Sequence, residues 1–419
     1  MRTHLRRTLG VATAAVLTLG AGLVAGPSAQ AAAVTQTVSI NPKGSIDVVT
    51  LGGGHGHGLS QFGAYGAAVH GRTTSQILAG YYPGTTTAGA PSPLIRVRLS
   101  GTGPTLTVQA IAGLKVTGVS AALPTAGILH YRLIAGSGHG LVLQRQTKQG
   151  KPYTTVKTGL PNGAQFGRAH GAPIRVYHAD HSTTIYMGGV HAVRVSASGK
   201  AGGVYPVNYV NTEWYTAGVV PREMPASWSR AALDAQAIAA RTYAVFENTA
   251  NAGQPYTICD TSACQVYGGH EIFDAHGKLI ATDLASAATD THGKILKYKG
   301  ATIFAQYSAS NGGWSTAGGK PYLKAAADKY DAGAPGNWYT DVKSQVTAAS
   351  MAKALGMSTV TKLTVSRDGH GSWGGRITSV TATGTKSGKA YVRKGISATT
   401  FAAAVKVTDT TWISLAMHK

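Results

Sequence analysis

The chain has 419 residues, with 38 Lys+Arg against 16 Asp+Glu and a formal net charge of +22. A hydrophobic content of 43% with 55 Gly excludes a disordered or fibrous chain and fits a loop-rich protein of one large or two modest domains with a sizeable core. The charge points to a polyanionic setting, with solubility alone as the other reading. Nucleic acid is set aside because no basic run is interleaved with aromatics, whereas a cell wall of phosphate polymers and carboxylates exerts the same attraction.

Residues 1–31 read as a signal peptide: Arg2, Arg6 and Arg7, an apolar run from Leu9 to Val24, then Ala29-Gln30-Ala31 as a cleavage site. The run is short and glycine-interrupted for a spanning helix, and no later stretch qualifies, so a secreted, wall-associated protein without a membrane span is expected. Residues 35–92 carry the loop Gly52-Gly53-Gly54-His55-Gly56-His57-Gly58-Leu59-Ser60-Gln61, whose glycines would let backbone approach a substrate. His55 and His57 could also bind a metal, but carboxylates to complete the set are scarce. Residues 93–200 alternate small apolar and polar residues, as in Ile95-Arg96-Val97-Arg98-Leu99, and read as a β-rich domain of short antiparallel strands.

Residues 201–419 form the expected catalytic core. The chain has four glutamates, Glu213, Glu223, Glu247 and Glu271, and only Glu223 has surroundings that resemble a site. It stands in Gly218-Val219-Val220-Pro221-Arg222-Glu223-Met224-Pro225-Ala226-Ser227-Trp228, read as a proline-bounded turn before an alanine-rich helix over 227–249. Ser227 or Ser229 can cap that helix, and Leu233, Ala237, Ala240 and Ala244 share one face. Gln236 and Arg241 either flank that face or point into a cleft. Glu223 itself could equally serve the helix dipole. Further helices are expected around 350–355 and 398–404, and 406–415 reads as a strand. Cys259 and Cys264 favour a small-loop disulfide in an exported chain, with half of a zinc site as the other reading. No G-x-S-x-G elbow is present.

The segment 219–228, followed by Ala235-Gln236-Ala237-Ile238-Ala239-Ala240-Arg241-Thr242-Tyr243-Ala244, resembles the SpoIID/LytB family of stage II sporulation protein D and the amidase enhancer LytB. The loop from Gly54 to Ala64, the segment Gly80-Tyr81-Tyr82-Pro83-Gly84 and, more loosely, Ser310-Asn311-Gly312-Gly313-Trp314-Ser315-Thr316 resemble it too. The order differs: the Gly-His loop and Tyr-Tyr-Pro-Gly segment close the family's domain and open this chain. Residues 35–92 then correspond to the family's C-terminus, and the expected fold is an α+β, circularly permuted SpoIID-like one with a central helix bearing the active-site segment. Such a permutation requires residues 36–50 to lie beside 406–416.

The resemblance implies lytic transglycosylase activity on peptidoglycan glycan strands, with Glu223 as general acid/base and Arg241 positioning substrate or meeting transition-state charge. His55, Ser60, Gln61, Gln236, Ser310, Gly312 and Gly313 become the expected substrate contacts. Met224, Pro225 and Trp228 would form the apolar wall that keeps Glu223 protonated. Ala263 stands where zinc-holding relatives carry histidine, so no metal and no cofactor is expected. LytB-like members imply the competing reading, a wall-binding enhancer of a cell-wall amidase.

Overall fold

The computed structural model describes residues 33–89, 92–138, 140–195, 202–282, 285–408 and 410–418; the expected signal peptide lies outside them. Among these residues no helix is long and apolar enough to cross a membrane. The described residues are α+β, with seven α-helices among them: α1 (Gln61–Val69), α2 (Thr74–Tyr81), α3 (Thr212–Glu223), α4 (Arg230–Ala250), α5 (Ala285–Asp290), α6 (Ala348–Ala354) and α7 (Ala398–Ala404).

Two large sheets share one core. The eight-stranded sheet runs Thr154–Leu160, Leu141–Gln146, His130–Ala135, Leu106–Gln109, Ile174–Tyr177, Thr183–Tyr186, Glu271–Phe273 and Leu279–Thr282 in spatial order. The six-stranded sheet runs Ile258–Cys259, Leu94–Arg98, Val204–Asn211, Gly189–Arg194, Gln165–Gly167 and Lys115–Val116. Strand alternation explains the packing: in Leu94–Arg98, Ile95 and Val97 are fully buried while Leu94 and Arg98 are exposed. Ile95 and Val97 belong to the same buried core as Val108, Leu133, Leu143 and Val176 of the larger sheet.

Helix α4 is buried on more than one side. Ala240 and Ala244 join the core between the sheets, whereas Leu233, Ala237 and Ile238 join a second core with α1, α2 and residues 296–323. The single apolar face expected from the sequence is therefore two faces on two cores, which explains the alanine content: larger side chains would hold the packed elements apart. Ser229 is its N-cap residue but makes no side-chain capping bond.

A third core is formed by residues from both ends of the described chain. The strand Ser45–Thr50 pairs antiparallel with Val342–Thr347 on one side and Ile413–Met417 on the other. Val34–Ser39 pairs with Thr359–Arg367 at the edge of a four-stranded sheet completed by Ile377–Lys386 and Lys389–Ser397.

Two sequence expectations change. The segment before α4 is a helix, α3, with Pro221 inside it and Glu223 as its last residue, so Glu223 does not cap the start of α4. Asn211 caps α3 by accepting from Trp214 N–H at 2.8 Å, and the helix ends two residues after Pro221. The expected strand over 406–415 is largely loop. Lys406 has a positive φ after α7, and pairing begins at Ile413.

Candidate functional site

A cleft of about 710 Å³ opens between the helical core and the unit containing α7. Glu223 lines it from the end of α3, facing His55, His57 and Gln61 from the glycine loop, Val266, Tyr307 and, across the cleft, Arg376. Among the described residues, Glu223 is the only carboxylate in this lining.

Backbone shape delivers Glu223. Gly218 lets residues 267–269 lie directly on α3; a Cβ there would stand 2.6 Å from the Gly269 carbonyl oxygen and 2.7 Å from the Tyr267 ring. That approach lets the Gly268 N–H donate to the Gly218 carbonyl at 3.1 Å and the Val266 N–H donate to Glu223 Oε1 at 2.8 Å. Gln61, the first residue of α1, donates from Nε2 to Oε2 at 3.0 Å. Burial raises the Glu223 carboxyl above its ordinary value and outweighs the hydrogen bonds from Val266 and Gln61 that favour the anion. The buried Tyr307 hydroxyl lies close enough to favour that anion as well, although it makes no well-formed hydrogen bond. Val266 and Tyr307 stand beside the acid, with the buried Tyr215 close behind, while Met224 packs into the helical core. Trp228 stacks on Tyr65 at 4.5 Å. The expected wall of Met224, Pro225 and Trp228 is thus replaced by Val266 and two tyrosines.

The glycine loop turns because Gly54, Gly56 and Gly58 all have positive φ. Their close approach is to the protein's own chain rather than to a ligand: a Cβ on Gly58 would lie 2.1 Å from the Gln306 carbonyl oxygen, and one on Gly56 would lie 2.4 Å from Arg376 Nη2. His55 and His57 stack at 4.6 Å. His55 Nδ1 accepts the His57 backbone N–H at 2.9 Å, so a neutral His55 carries its proton on Nε2. Burial, then the charges of His57 and Arg376, pull His55 down to about 4, and burial lowers His57 as well. Both rings are therefore neutral at neutral pH.

Four expected contacts are held in the protein's own hydrogen bonds, and a fifth, Gln236, is buried. Ser60 is fully buried and caps α1, accepting from Gly63 N–H at 3.1 Å and donating to Asp331 Oδ2. Ser310 is also fully buried and donates to Asp331 Oδ1 at 2.6 Å. The Gly312 N–H donates to the same oxygen at 3.0 Å, and the Gly313 N–H donates to Asn311 Oδ1 at 2.9 Å. Asp331 thus ties the 308–316 loop to the start of α1. Gln236 is fully buried in α4, and neither its Nε2 nor its Oε1 has a hydrogen-bond partner.

Arg241 needs the largest correction. It is 1% exposed and is bound by Glu213 of α3, with Nη2–Oε2 at 2.7 Å and Nε–Oε1 at 3.0 Å. It also donates to the Ala288 carbonyl at 3.0 Å, the Lys294 carbonyl at 3.2 Å and Thr291 Oγ1 at 3.2 Å. Its donors are committed inside the protein, where it holds α3, α4 and α5 together, and it is not among the residues that line the cleft.

The cleft's cation is Arg376, which the sequence reading missed. Its Nε donates to Thr316 Oγ1 at 2.6 Å, its Nη2 donates to the Asn311 carbonyl at 2.8 Å, and the guanidinium lies 4.9 Å over the Trp412 ring. Burial lowers it to about 10, which leaves it charged. Its sequence signal, a single arginine after Gly374-Gly375, is too common to single out. Cys259 and Cys264 are joined in a disulfide whose Cys264 borders the cleft, so neither sulfur is a free thiolate for a metal.

Part of this site lies in a segment that is similar to known proteins. Residues 200–298, which include Glu223 and Arg241, match the SpoIID family model, described as stage II sporulation protein. The chain is 43% identical over 120 residues to the amidase enhancer of Bacillus subtilis (strain 168), covering 27% of this chain and 15% of that protein. It is 34% identical over 185 residues to stage II sporulation protein D of the same organism, covering 39% of this chain and 52% of that protein. The corresponding protein of Bacillus amyloliquefaciens is 33% identical over 147 residues, 31% of this chain and 42% of the relative. The chain thus spans between a seventh and about half of these relatives' length. No solved structure matches it. Through the segment that ends α3 and builds α4, the chain is similar to the SpoIID family and to proteins named amidase enhancer and stage II sporulation protein D.

Proposed function

We propose that this chain is an exported lytic transglycosylase that binds peptidoglycan glycan strands and cleaves them without water. The observation that carries the reading is a single buried carboxyl, Glu223, in a cleft with no second carboxylate among its described lining residues. Glycoside hydrolysis generally uses two carboxyl groups, one to protonate the leaving oxygen and one to supply or activate the nucleophile. One suffices when the sugar's own C6 hydroxyl is the nucleophile. Protonated Glu223 gives its proton to the glycosidic oxygen as the bond to C1 breaks. The resulting carboxylate then takes the proton from the C6 hydroxyl as that oxygen closes on C1, yielding a 1,6-anhydro end and regenerating the acid. Burial keeps the proton on Glu223 until a strand is bound and makes the later carboxylate a stronger base, while the Val266 and Gln61 N–H groups ease the first step by stabilising the carboxylate it leaves. The neutral His55 and the charged Arg376 supply polar groups for the bound sugar.

The order of the family motifs is read as a circular permutation. The position of Ser45–Thr50 directly beside Ile413–Met417 supports it, because in the unpermuted order the chain would run on from the second segment into the first. A net charge of +22 and the expected signal peptide support a wall-associated location with anionic wall polymers as partners. The second reading, a non-catalytic amidase enhancer with a cell-wall amidase as partner, is favoured by the 43% identity to a protein of that name.

The test is mass spectrometry of purified glycan strands, with and without stem peptides, after incubation with the protein and with Glu223→Gln. Anhydro-ended fragments that vanish in the variant are expected. Reducing-end fragments would replace the reading with hydrolysis, and intact but bound strands would leave the enhancer.

A further inference from the structure

We infer that the outer face of the eight-stranded sheet is a second glycan-binding surface, separate from the cleft and shaped for a linear polysaccharide. Strand register sets Phe273, Thr183, Tyr177, Thr107, Arg132 and Gln144 in one row across six neighbouring strands. Five strand spacings make this row roughly 24 Å long, enough for several sugar units. Val176, Val108, Leu133 and Leu143, their neighbours along the strands, point the other way into the core, so the row belongs to the sheet's outer side. All of its members except Thr183 remain partly exposed.

The row is built before any ligand arrives. The Arg132 guanidinium lies 3.6 Å over the ring of Tyr153, and its Nε donates to Gln144 Oε1 at 2.8 Å. Arg175 lies 4.1 Å over Phe273 and donates to Thr183 Oγ1 at 2.9 Å, and His130 meets Tyr177 edge-on at 4.3 Å. Rings and guanidinium groups fixed in this way lose little side-chain entropy on binding. Among the described residues neither arginine has a carboxylate partner, and Glu271 stands at the far end of the adjoining row. Residues 92–195 contain eleven Lys+Arg against one acid, Asp180. Aromatic surface, amide and hydroxyl groups in a line, and unpaired cations suit a chain of sugars with apolar ring faces, hydroxyl rims and carboxylates. The surface would hold the wall while the cleft works on a strand end or a neighbouring strand.

The choice of glycan as the polymer rests on the proposed function, so binding is measured in the Glu223→Gln background, where cleavage is not needed. The probe is sacculi freed of phosphate polymers, pelleted with the full chain. Adding Arg132→Gln with Tyr177→Ala is expected to weaken binding at least tenfold. The same pair with Glu223 intact should cleave short soluble glycan at the parent rate, with circular dichroism unchanged. If the pair impairs folding, Gln144→Glu, which sets a carboxylate beside Arg132, gives the same comparison at a partly exposed position. Unchanged affinity overturns the proposal. So does binding that disappears with the phosphate polymers or is matched by double-stranded DNA. Retained row-dependent binding by a chain that cleaves nothing would leave this surface standing and remove the transglycosylase reading instead.

Discussion

Replacing Arg241 tests whether it belongs to the chemistry or to the frame. Arg241→Ala deletes a buried ion pair with Glu213 and also removes the donor facing two carbonyl groups and a threonine hydroxyl. Breaking a buried pair costs about 3–5 kcal/mol because it strands the remaining charge. Glu213 keeps 17% side-chain exposure and the Gly293 N–H at 3.1 Å, which moves the expectation toward the lower end, about 3–4 kcal/mol. Against a total stability of about 5–15 kcal/mol, that loss is large but leaves a folded population. Urea unfolding followed by circular dichroism measures it. Strand cleavage is then assayed at a temperature where parent and variant are both folded, and kcat/KM is expected to fall less than about tenfold, roughly 1.4 kcal/mol of transition-state stabilisation. Arg241→Met with Glu213→Leu should recover most of the stability, since a well-packed apolar pair can replace a buried ionic one. A fully stable Arg241→Ala that no longer cleaves glycan would return Arg241 to the substrate and refute this account.

Three further outcomes follow from the same geometry. Burial raises Glu223, so the stability associated with its neutral form is full below the ordinary carboxylate value of about 4.3 and is lost as pH rises through the elevated one. Glu223→Gln should therefore melt above the parent at neutral pH and level with it near pH 4, whereas cleavage by the parent should decline as pH rises through that same elevated value; a constant melting difference across pH would count against a buried acid. Reducing Cys259–Cys264, which closes a small loop, should cost about 2 kcal/mol in the chain-entropy account, read as a shift of the urea midpoint with dithiothreitol. Asp331→Ala should destabilise by more than about 3 kcal/mol, because it leaves Ser60, Ser310 and the N–H groups of Asn311 and Gly312 without their buried acceptor; a loss under 1 kcal/mol would show that these loops do not depend on it.

What could be read in the sequence was whatever one residue's neighbours along the chain already constrain. The alanine-rich body of α4, the helix 398–404 and the alternation in Leu94–Arg98 are local patterns with local causes. Glu223 was singled out because acids are scarce, and Gln61 does reach it, donating to Oε2. The misses involve long-range partners. Helix α3 was hidden by Pro221 and the β-branched Val219-Val220, whose weak propensity is overridden by packing into both cores. Ser60 and Ser310 look like active-site hydroxyls until Asp331, 271 and 21 residues away, is seen to accept from both. Arg241 likewise depends on Glu213, and Arg376 on a loop that precedes it by some sixty residues.

The strand Ser45–Thr50 also has a consequence for how the molecule is made. One of its two partners belongs to the last strand of the described chain, and the contact between Asp47 and His418 closes a loop of 371 residues. During synthesis the early strand must wait for Ile413–Met417 to emerge before this sheet can be completed. Its side chains Ile46 and Val48, fully buried in the finished protein, stay without their final neighbours throughout that interval. Contacts this distant in sequence form slowly, and an open strand edge is a hazard while it lasts. Assembly of this unit therefore waits for Ile413–Met417, and a molecule clipped before Ile413 would expose one edge of Ser45–Thr50.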